Sequence, residues 1–219
     1  MTGGRITALT PQRKRGTRSE RVNVFLDGEF AFGIDAEAAG RAGLAVGIEL
    51  TADDVRRLRD QDEAARFYDD ALRFLSFRPR SSAELERYLK GRGADDVVVA
   101  AVTGRLRRIG LVDDEAFARY WIENRAAFSP RGSRALQAEL RAKGVKQETI
   151  EGALEEGEED EGGEEERAYQ AGLKRLRSLG RLDEETFRRR MYGFLQRRGF
   201  DYDVVRDATE RLWKEKDEI

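Results

Sequence analysis

Three short clusters of basic residues recur along the chain, and their chemistry suits an anionic partner. Arginine far outnumbers lysine in the sequence, and its planar guanidinium group forms paired hydrogen bonds with carboxylates and phosphates. Genome composition alone also produces such a preference. Basic residues near a helix C-terminus are also expected from capping and the helix dipole. As a set, we interpret them as candidates for contact with an acidic protein surface or a phosphate backbone: Arg78, Arg80, Lys90 and Arg92; Arg131, Arg134, Arg141 and Lys143; and Arg189, Arg190, Arg197 and Arg198.

Catalytic chemistry has little support in the composition. The chain has no cysteine and no histidine, so thiol nucleophiles and the commonest general base and neutral metal ligand are missing. No glycine-rich phosphate loop precedes a predicted helix, and the carboxylates lie where helices favour surface charge or N-terminal acids. We therefore predict a binding protein rather than an enzyme, with no cofactor and no metal.

The basic clusters belong to a short sequence motif that occurs three times, which we call the repeated phrase. Its middle copy, residues 136–144, reads as the last turns of a helix, with two leucines four apart, basic residues and a terminal glycine. Flanking positions also match, and the three glycines are 51 and then 55 positions apart, which predicts a repeat of about 50 residues. The copies end at Gly93, Gly144 and Gly199.

A competing register aligns residues 106–117 with residues 176–187. It pairs the first helix of one unit with the second helix of another. We interpret that likeness as shared signals for ending and starting helices rather than as the true repeat.

The N-terminal region has a different pattern. Residues 21–34 alternate apolar and polar residues around Asp27–Gly28, which predicts a β-hairpin. Residues 6–9 offer a third strand, and the basic run at 13–18 is either a solvated loop between strands or an arm that touches nucleic acid or an acidic partner. A short helix is expected at 36–39, and Thr51 is the predicted N-cap of the first long helix.

Capping signals and helical periodicity continue from there to the C-terminus. Ser81 and Glu84 form a capping box, and Pro79 and Pro130 interrupt the helical pattern. The acidic stretch at 155–166 is predicted to be a solvated linker or a frayed helix end, because like charges and glycines oppose a stable helix. A calcium site is the alternative there, but the ligand spacing of an EF-hand is missing.

These patterns predict a mainly α fold. We expect tandem three-helix repeats that form an elongated curved body, preceded by a small domain that contains the β-hairpin. The predicted domains are 1–50, 51–112, 113–160 and 161–219. With 38% charged residues, a net charge of −2 and no long apolar run, we expect a cytoplasmic monomer with no membrane contact.

Three phrases in this order resemble the bacterial RecX regulatory proteins. They are Arg-Pro-Arg-Ser at 78–81 with the leucines that follow, Gly-Leu-Val-Asp-Asp-Glu at 110–115, and Phe-Leu-Gln-Arg-Arg-Gly-Phe at 194–200. The resemblance covers roughly residues 60–217, and residues 25–33 are similar to an N-terminal extension found in some family members.

The resemblance implies a modulator of the RecA recombinase. Family members consist of three-helix repeats, lie in the groove of the RecA–single-stranded DNA filament and usually inhibit it, which limits ATP hydrolysis, strand exchange and coprotease signalling. The RecA filament is therefore the expected partner, with direct contact to single-stranded DNA as a further expectation. Because Gln196 replaces the basic residue of the other copies, we expect weaker binding by the third repeat. The alternatives are a nucleic-acid-binding repeat protein that acts independently of RecA, and a structural scaffold.

Overall fold

The protein is mainly α-helical, as predicted, with a small N-terminal β-sheet. The computed structural model describes residues 2–12, 20–160, 163–179 and 181–216, with the side chains of 158–160 left aside. The N-terminal elements are β1 (Gly4–Pro11), β2 (Arg21–Leu26), β3 (Glu29–Asp35), α1 (Ala36–Arg41) and β4 (Glu49–Leu50). Three groups of three helices follow: α2 (Ala52–Leu75), α3 (Ser82–Gly91) and α4 (Asp96–Arg108); α5 (Asp114–Phe128), α6 (Ser133–Ala142) and α7 (Gln147–Asp160); α8 (Gly163–Leu179), α9 (Glu184–Arg197) and α10 (Tyr202–Glu215).

The chain forms two compact units. The N-terminal unit comprises Met1–Phe74 and Leu89–Val102, and the C-terminal unit comprises Leu75–Tyr88 and Thr103–Ile219. The division therefore passes through α3 and α4. The four-domain boundaries proposed from the sequence remain a prediction.

The predicted hairpin is confirmed and belongs to an antiparallel sheet in the order β3-β2-β1-β4. Asp27 and Gly28 both have positive φ angles, 50° and 91°, as a two-residue hairpin turn requires. β1 is the third strand expected around residues 6–9, whereas the two-residue β4 was too short to predict. The basic run at 13–18 lies outside the described residues.

The N-terminal unit buries one face of this sheet against α2. Ile6, Val24 and Phe32 pack with Val55 and Leu58 of α2 in one apolar cluster. Burial of these side chains offsets the marginal stability of a short sheet on its own.

A buried ion pair fixes the end of β3 to α2. The Asp62 carboxylate accepts hydrogen bonds from the Arg21 guanidinium group, at 2.7 and 3.1 Å, and from the Asp35 backbone N–H, at 2.9 Å. Arg21 also donates to the carbonyl oxygen of Gly33. Two outward-facing polar groups of β3 are thereby satisfied within the chain, which limits strand addition at this edge.

The helix starts follow the capping rules used in the prediction. Thr51 Oγ1 accepts from the Asp54 backbone N–H, and Asp54 accepts from the Thr51 N–H. Ser81 and Glu84 make the same reciprocal pair at the start of α3, which confirms the predicted capping box.

The second and third repeats each have their own apolar cluster. Ile150 and Leu154 are buried in the second, as predicted, and Met191, Leu195 and Leu212 are buried in the third. The helices α3, α6 and α9 start 51 residues apart, but α9 has 14 residues where α3 and α6 have 10. The offset of 55 between the last two glycines therefore contains one additional helical turn inside α9.

The predicted linker at 155–166 is largely helical. α7 continues to Asp160, and α8 starts at Gly163. Glu164 and Glu166 occupy the first turn of α8, where carboxylates are favourable, and Glu166 pairs with Arg211 at 3.0 Å. Glu156 pairs with Arg119 at 3.4 Å. The linker half of the prediction is therefore wrong for the described residues, whereas the acidic residues up to Asp160 form the C-terminal end of α7. The Glu156 and Glu166 ion pairs offset part of the repulsion.

Candidate functional site

The structure divides the twelve basic candidates into residues held by internal contacts and residues that are exposed without an ion pair. Most belong to the first group, and several of them lie where successive repeats meet. We call the contacts of the α3 N-terminus with the second repeat the first junction. The corresponding contacts of the α6 N-terminus with the third repeat are the second junction.

Glu84 lies at the centre of the first junction. Its carboxylate is 2.9 Å from the Arg78 guanidinium group and 3.2 Å from Lys143 Nζ. Burial would raise the pKa of Glu84, but the hydrogen bonds and charges of Arg78 and Lys143 outweigh it and lower that pKa to about 2. Arg78 and Lys143 thus form ion pairs with a carboxylate of the same chain.

Both junctions use equivalent acceptors of the next repeat, a carbonyl oxygen and a carboxylate. At the first, Ser81 Oγ donates to the Lys143 carbonyl oxygen at 2.6 Å, and Asp114 accepts from the Ser82 backbone N–H at 2.7 Å. At the second, the Gly132 N–H donates to the Arg198 carbonyl oxygen, and Glu164 accepts from the Ser133 N–H, both at 3.0 Å. In each case a carboxylate from the next repeat caps the free N–H groups of a helix start.

The terminal glycines of the repeated phrase allow these close approaches. Gly144 and Gly199 have φ angles of 81° and 84°. A Cβ on Gly144 would lie 2.3 Å from Ala83 Cβ, and one on Gly199 would lie 2.6 Å from the Ala135 backbone nitrogen. Glycine is therefore required at both positions for backbone conformation and for space.

The basic residue before each of these glycines stacks on an aromatic ring. Lys143 Nζ lies 4.0 Å from the centroid of the Trp121 ring, and the Arg198 guanidinium carbon lies 4.7 Å from the centroid of the Phe194 ring. Arg198 also donates to the Pro130 carbonyl oxygen at 3.0 Å. Burial, followed by the nearby charge of Arg131, lowers the pKa of Arg198.

Other candidates also have internal contacts. Arg134 contacts the Phe200 carbonyl oxygen and the Asp201 carboxylate, both at 2.9 Å. Arg131 lies 3.8 Å from Glu139. Half-buried Arg80 has its pKa lowered, first by burial and then by the charge of Arg78.

The exposed candidates differ between repeats. Lys90 pairs with Asp96 at 2.8 Å, and Arg92 pairs with Asp70 at 3.3 Å. Arg141 donates to the Gln147 side chain at 2.8 Å. Three candidates on α9 are exposed and have no ion pair within the described part of the chain: Arg189, Arg190 and Arg197.

Sequence reasoning missed the acidic partners of these cations. Glu139 accepts from Trp121 Nε1 at 2.8 Å and from Arg125 Nε at 2.7 Å, and Asp114 and Glu164 cap helices of the preceding repeat. The available signal was an acidic residue in the first turn of α5 and of α8. Asp114 was interpreted as an ordinary acid at a helix start and Glu164 as part of the acidic stretch, so their contacts with a helix about 30 residues upstream were missed.

Four family models match consecutive parts of the chain. They describe the RecX N-terminal domain at residues 4–51 and the first, second and third RecX three-helix domains at 68–106, 113–154 and 163–209. A regulatory protein RecX of Bacillus subtilis (strain 168) is 34% identical over 214 residues, which cover 97% of this chain and 79% of that protein. The chain belongs to the RecX family.

Further RecX proteins agree with this membership. The regulatory protein RecX of Mycolicibacterium vanbaalenii is 44% identical over 153 residues, covering 67% of this chain and 82% of that protein. A crystal structure of regulatory protein RecX superposes with a TM-score of 0.69 over 94% of this chain and 98% of its own, at 24% identity. The RecX resemblance drawn from the sequence is confirmed, and so are the tandem three-helix repeats.

None of the helices in the described residues is long and apolar enough to cross a membrane. The described residues also contain no group of carboxylates arranged to hold a metal ion, so the calcium alternative for the acidic stretch has no support among them.

Proposed function

We propose that this chain is a regulator that binds the RecA–single-stranded DNA filament and lowers its ATPase, strand-exchange and coprotease activities. The observation that carries the proposal is the presence of all four RecX domains in order along the chain. The relatives are named regulatory proteins, and we propose that this chain acts by binding rather than by catalysis.

The repeat architecture supports a binding role. Stacked repeats present extended surfaces to a partner, and the two junctions described above tie the start of a second helix to the following repeat. A partner with its own repeated subunits is the natural match for such a surface, and the RecA filament is a partner of that kind.

The decisive experiment measures the DNA-dependent ATPase of RecA on single-stranded DNA while this protein is titrated in. The expected result is a progressive loss of ATP hydrolysis, accompanied by binding to the preformed filament. Unchanged hydrolysis at stoichiometric excess, together with no binding to the filament, would reject the proposal.

Direct contact with single-stranded DNA is the second candidate, and one observation favours it. Arg189, Arg190 and Arg197 are exposed on α9 without an ion pair in the described residues. Asp183 lies near enough to Arg189 for that charge to lower its pKa, but the two form no ion pair. The exposure of these three arginines favours a larger contribution of the third repeat to DNA binding than was expected from Gln196.

The salt dependence of binding to bare single-stranded DNA tests this second candidate. Replacing the three arginines with glutamine should reduce the slope of log affinity against log salt by about 2, at roughly 0.7 for each phosphate that is no longer neutralised. The control replaces Lys90 and Arg92, which already have internal partners, and should change the slope less. A wild-type affinity that is independent of salt would remove this candidate.

A further inference from the structure

One apolar position is shared by all three repeats. It lies five residues before the start of the second helix in each repeat, at Phe77, Phe128 and Leu179. The spacing of 51 residues is constant, because the additional turn of the third repeat lies further along, inside α9. The three residues therefore stand at the same sequence distance from the helix that follows, although Phe77 lies two residues beyond the end of α2 and the other two end α5 and α8.

These three side chains differ in their exposure to solvent. Leu179 is only 2% exposed and packs in the core of the third repeat, whereas Phe77 is 82% exposed and Phe128 is 78% exposed. A single exposed apolar side chain needs no explanation. Two large aromatic rings exposed at equivalent positions of two repeats need an explanation, because burial of a ring is strongly favourable.

The loop after each phenylalanine accounts for the difference. Pro79 and Pro130 follow two residues later, and a proline disfavours helical conformation in the residue before it. Ser129 accordingly has φ −150° and ψ 73°, outside the helical region. The third repeat has no proline between Leu179 and α9, and its apolar side chain packs inward.

The charges beside these rings argue against nucleic acid as the partner. Arg78, adjacent to Phe77, pairs with Glu84 at 2.9 Å, and Arg125, three residues before Phe128, pairs with Glu139 at 2.7 Å. Lys174 Nζ lies 3.5 Å from the Phe128 carbonyl oxygen and satisfies the end of α5. Single-stranded nucleic acid needs a basic groove along with its stacking rings, whereas here Arg78 and Arg125 are neutralised by internal carboxylates.

We propose that Phe77 and Phe128 are equivalent anchors that insert into the same apolar pocket on two neighbouring, identical subunits of a protein filament. The inference rests on the proposed function, in which that filament is RecA on single-stranded DNA. Aromatic anchors that fill pockets contribute most of the affinity in many interfaces. Two anchors on one rigid chain add avidity only when the partner repeats, so this surface selects the assembled filament over free subunits.

The test compares four proteins for binding to RecA assembled on oligo(dT) with a slowly hydrolysed ATP analogue: wild type, Phe77→Ala, Phe128→Ala and the double variant. Each single substitution should weaken binding about tenfold, and the double substitution about a hundredfold, as expected for independent contacts. Val97→Ala, at a side chain that is 77% exposed and has no equivalent role, is the control and should bind like wild type. Because all three substituted side chains are exposed, unfolding midpoints should stay close to wild type.

The affinity of the wild type tests the proposed function, and the affinities of the variants relative to wild type test the two-anchor inference. Absence of wild-type binding to the filament would overturn the proposed function. Wild-type binding that both phenylalanine variants retain, or a double variant no weaker than either single one, would overturn the two-anchor inference alone. Equal losses on bare oligo(dT) and on the filament would also overturn it, because they would indicate base stacking.

Discussion

The two repeat junctions share two acceptors, the carbonyl oxygen before the glycine and a capping carboxylate, but differ in the side chains around them. At the first junction Glu84 holds Arg78 and Lys143, a half-buried network of opposite charges. The position of Glu84 is occupied at the second junction by Ala135, against which Gly199 packs. The first junction thus depends on a half-buried network of ion pairs. The second depends on close packing and on hydrogen bonds to carbonyl oxygens, and its Arg134–Asp201 ion pair is exposed.

This difference shows which features of the repeated phrase stay constant between repeats. Both junctions keep the glycine and the carbonyl before it, because the backbone geometry requires them. The side chains around that backbone are free to change as long as every polar group keeps a partner. Lys143 and Arg198 therefore look alike in sequence, yet one binds a carboxylate and the other a carbonyl oxygen.

The largest expected effect comes from the shared glycines. Gly199→Ala places a Cβ against the Ala135 backbone at a positive φ and should reduce the free energy of unfolding by about 2 kcal/mol or more. Gly144→Ala should cost slightly less, since its nearest neighbour is the Ala83 side chain. Gly93→Ala has the same strained φ but no atom within 4 Å of the new Cβ, and should cost only about 1 kcal/mol. Urea unfolding monitored by circular dichroism measures all three, and equal costs would show that the junction contacts add nothing.

The second prediction separates the junctions by pH. Because the pKa of Glu84 is lowered to about 2 from 4.5, its ion pairs stabilise the protein above pH 4.5, and this contribution disappears as the pH falls towards 2. The loss amounts to about 3 kcal/mol at most. Glu84→Gln should lower stability at pH 7 and flatten the pH dependence between pH 4.5 and 2.

The matched control for this pH experiment is Asp201→Asn. It removes an exposed carboxylate that pairs with Arg134 at the second junction and should change neither stability nor slope appreciably. A Glu84→Gln variant with the same slope as wild type would mean that the first junction is not ionic in solution.

Local features of this chain were predictable because the residues that determine them are neighbours in sequence. The hairpin at Asp27–Gly28, the cap at Thr51 and the capping box of Ser81 and Glu84 depend on residues at most three positions apart. The partner of Lys143 lies 59 residues away. No periodicity shows that this lysine and Glu84 meet, so the lysine was interpreted as a binding residue.

Two other predictions failed or were incomplete for related reasons. The acidic stretch was predicted to be a solvated linker or a frayed helix end, because composition shows the repulsion between its glutamates but not the distant arginines, such as Arg211, that pair with them. The exposure of Phe77 and Phe128 was not predicted. Pro79 and Pro130, which follow them, were interpreted only as interruptions of the helical pattern.

The smallest and most specific prediction concerns two adjacent arginines of α9 and its cap. Arg198 packs on Phe194 and donates to the Pro130 carbonyl oxygen, so Arg198→Ala should cost about 1–2 kcal/mol of stability at the second junction. Arg197 is exposed without an ion pair in the described residues, and Arg197→Ala should change stability by less than about 0.5 kcal/mol. Binding to single-stranded DNA should show the reverse order, with the larger reduction for Arg197. If both substitutions affect stability and binding in the same proportion, the distinction between junction cations and exposed cations does not hold, and the twelve basic residues act as one surface.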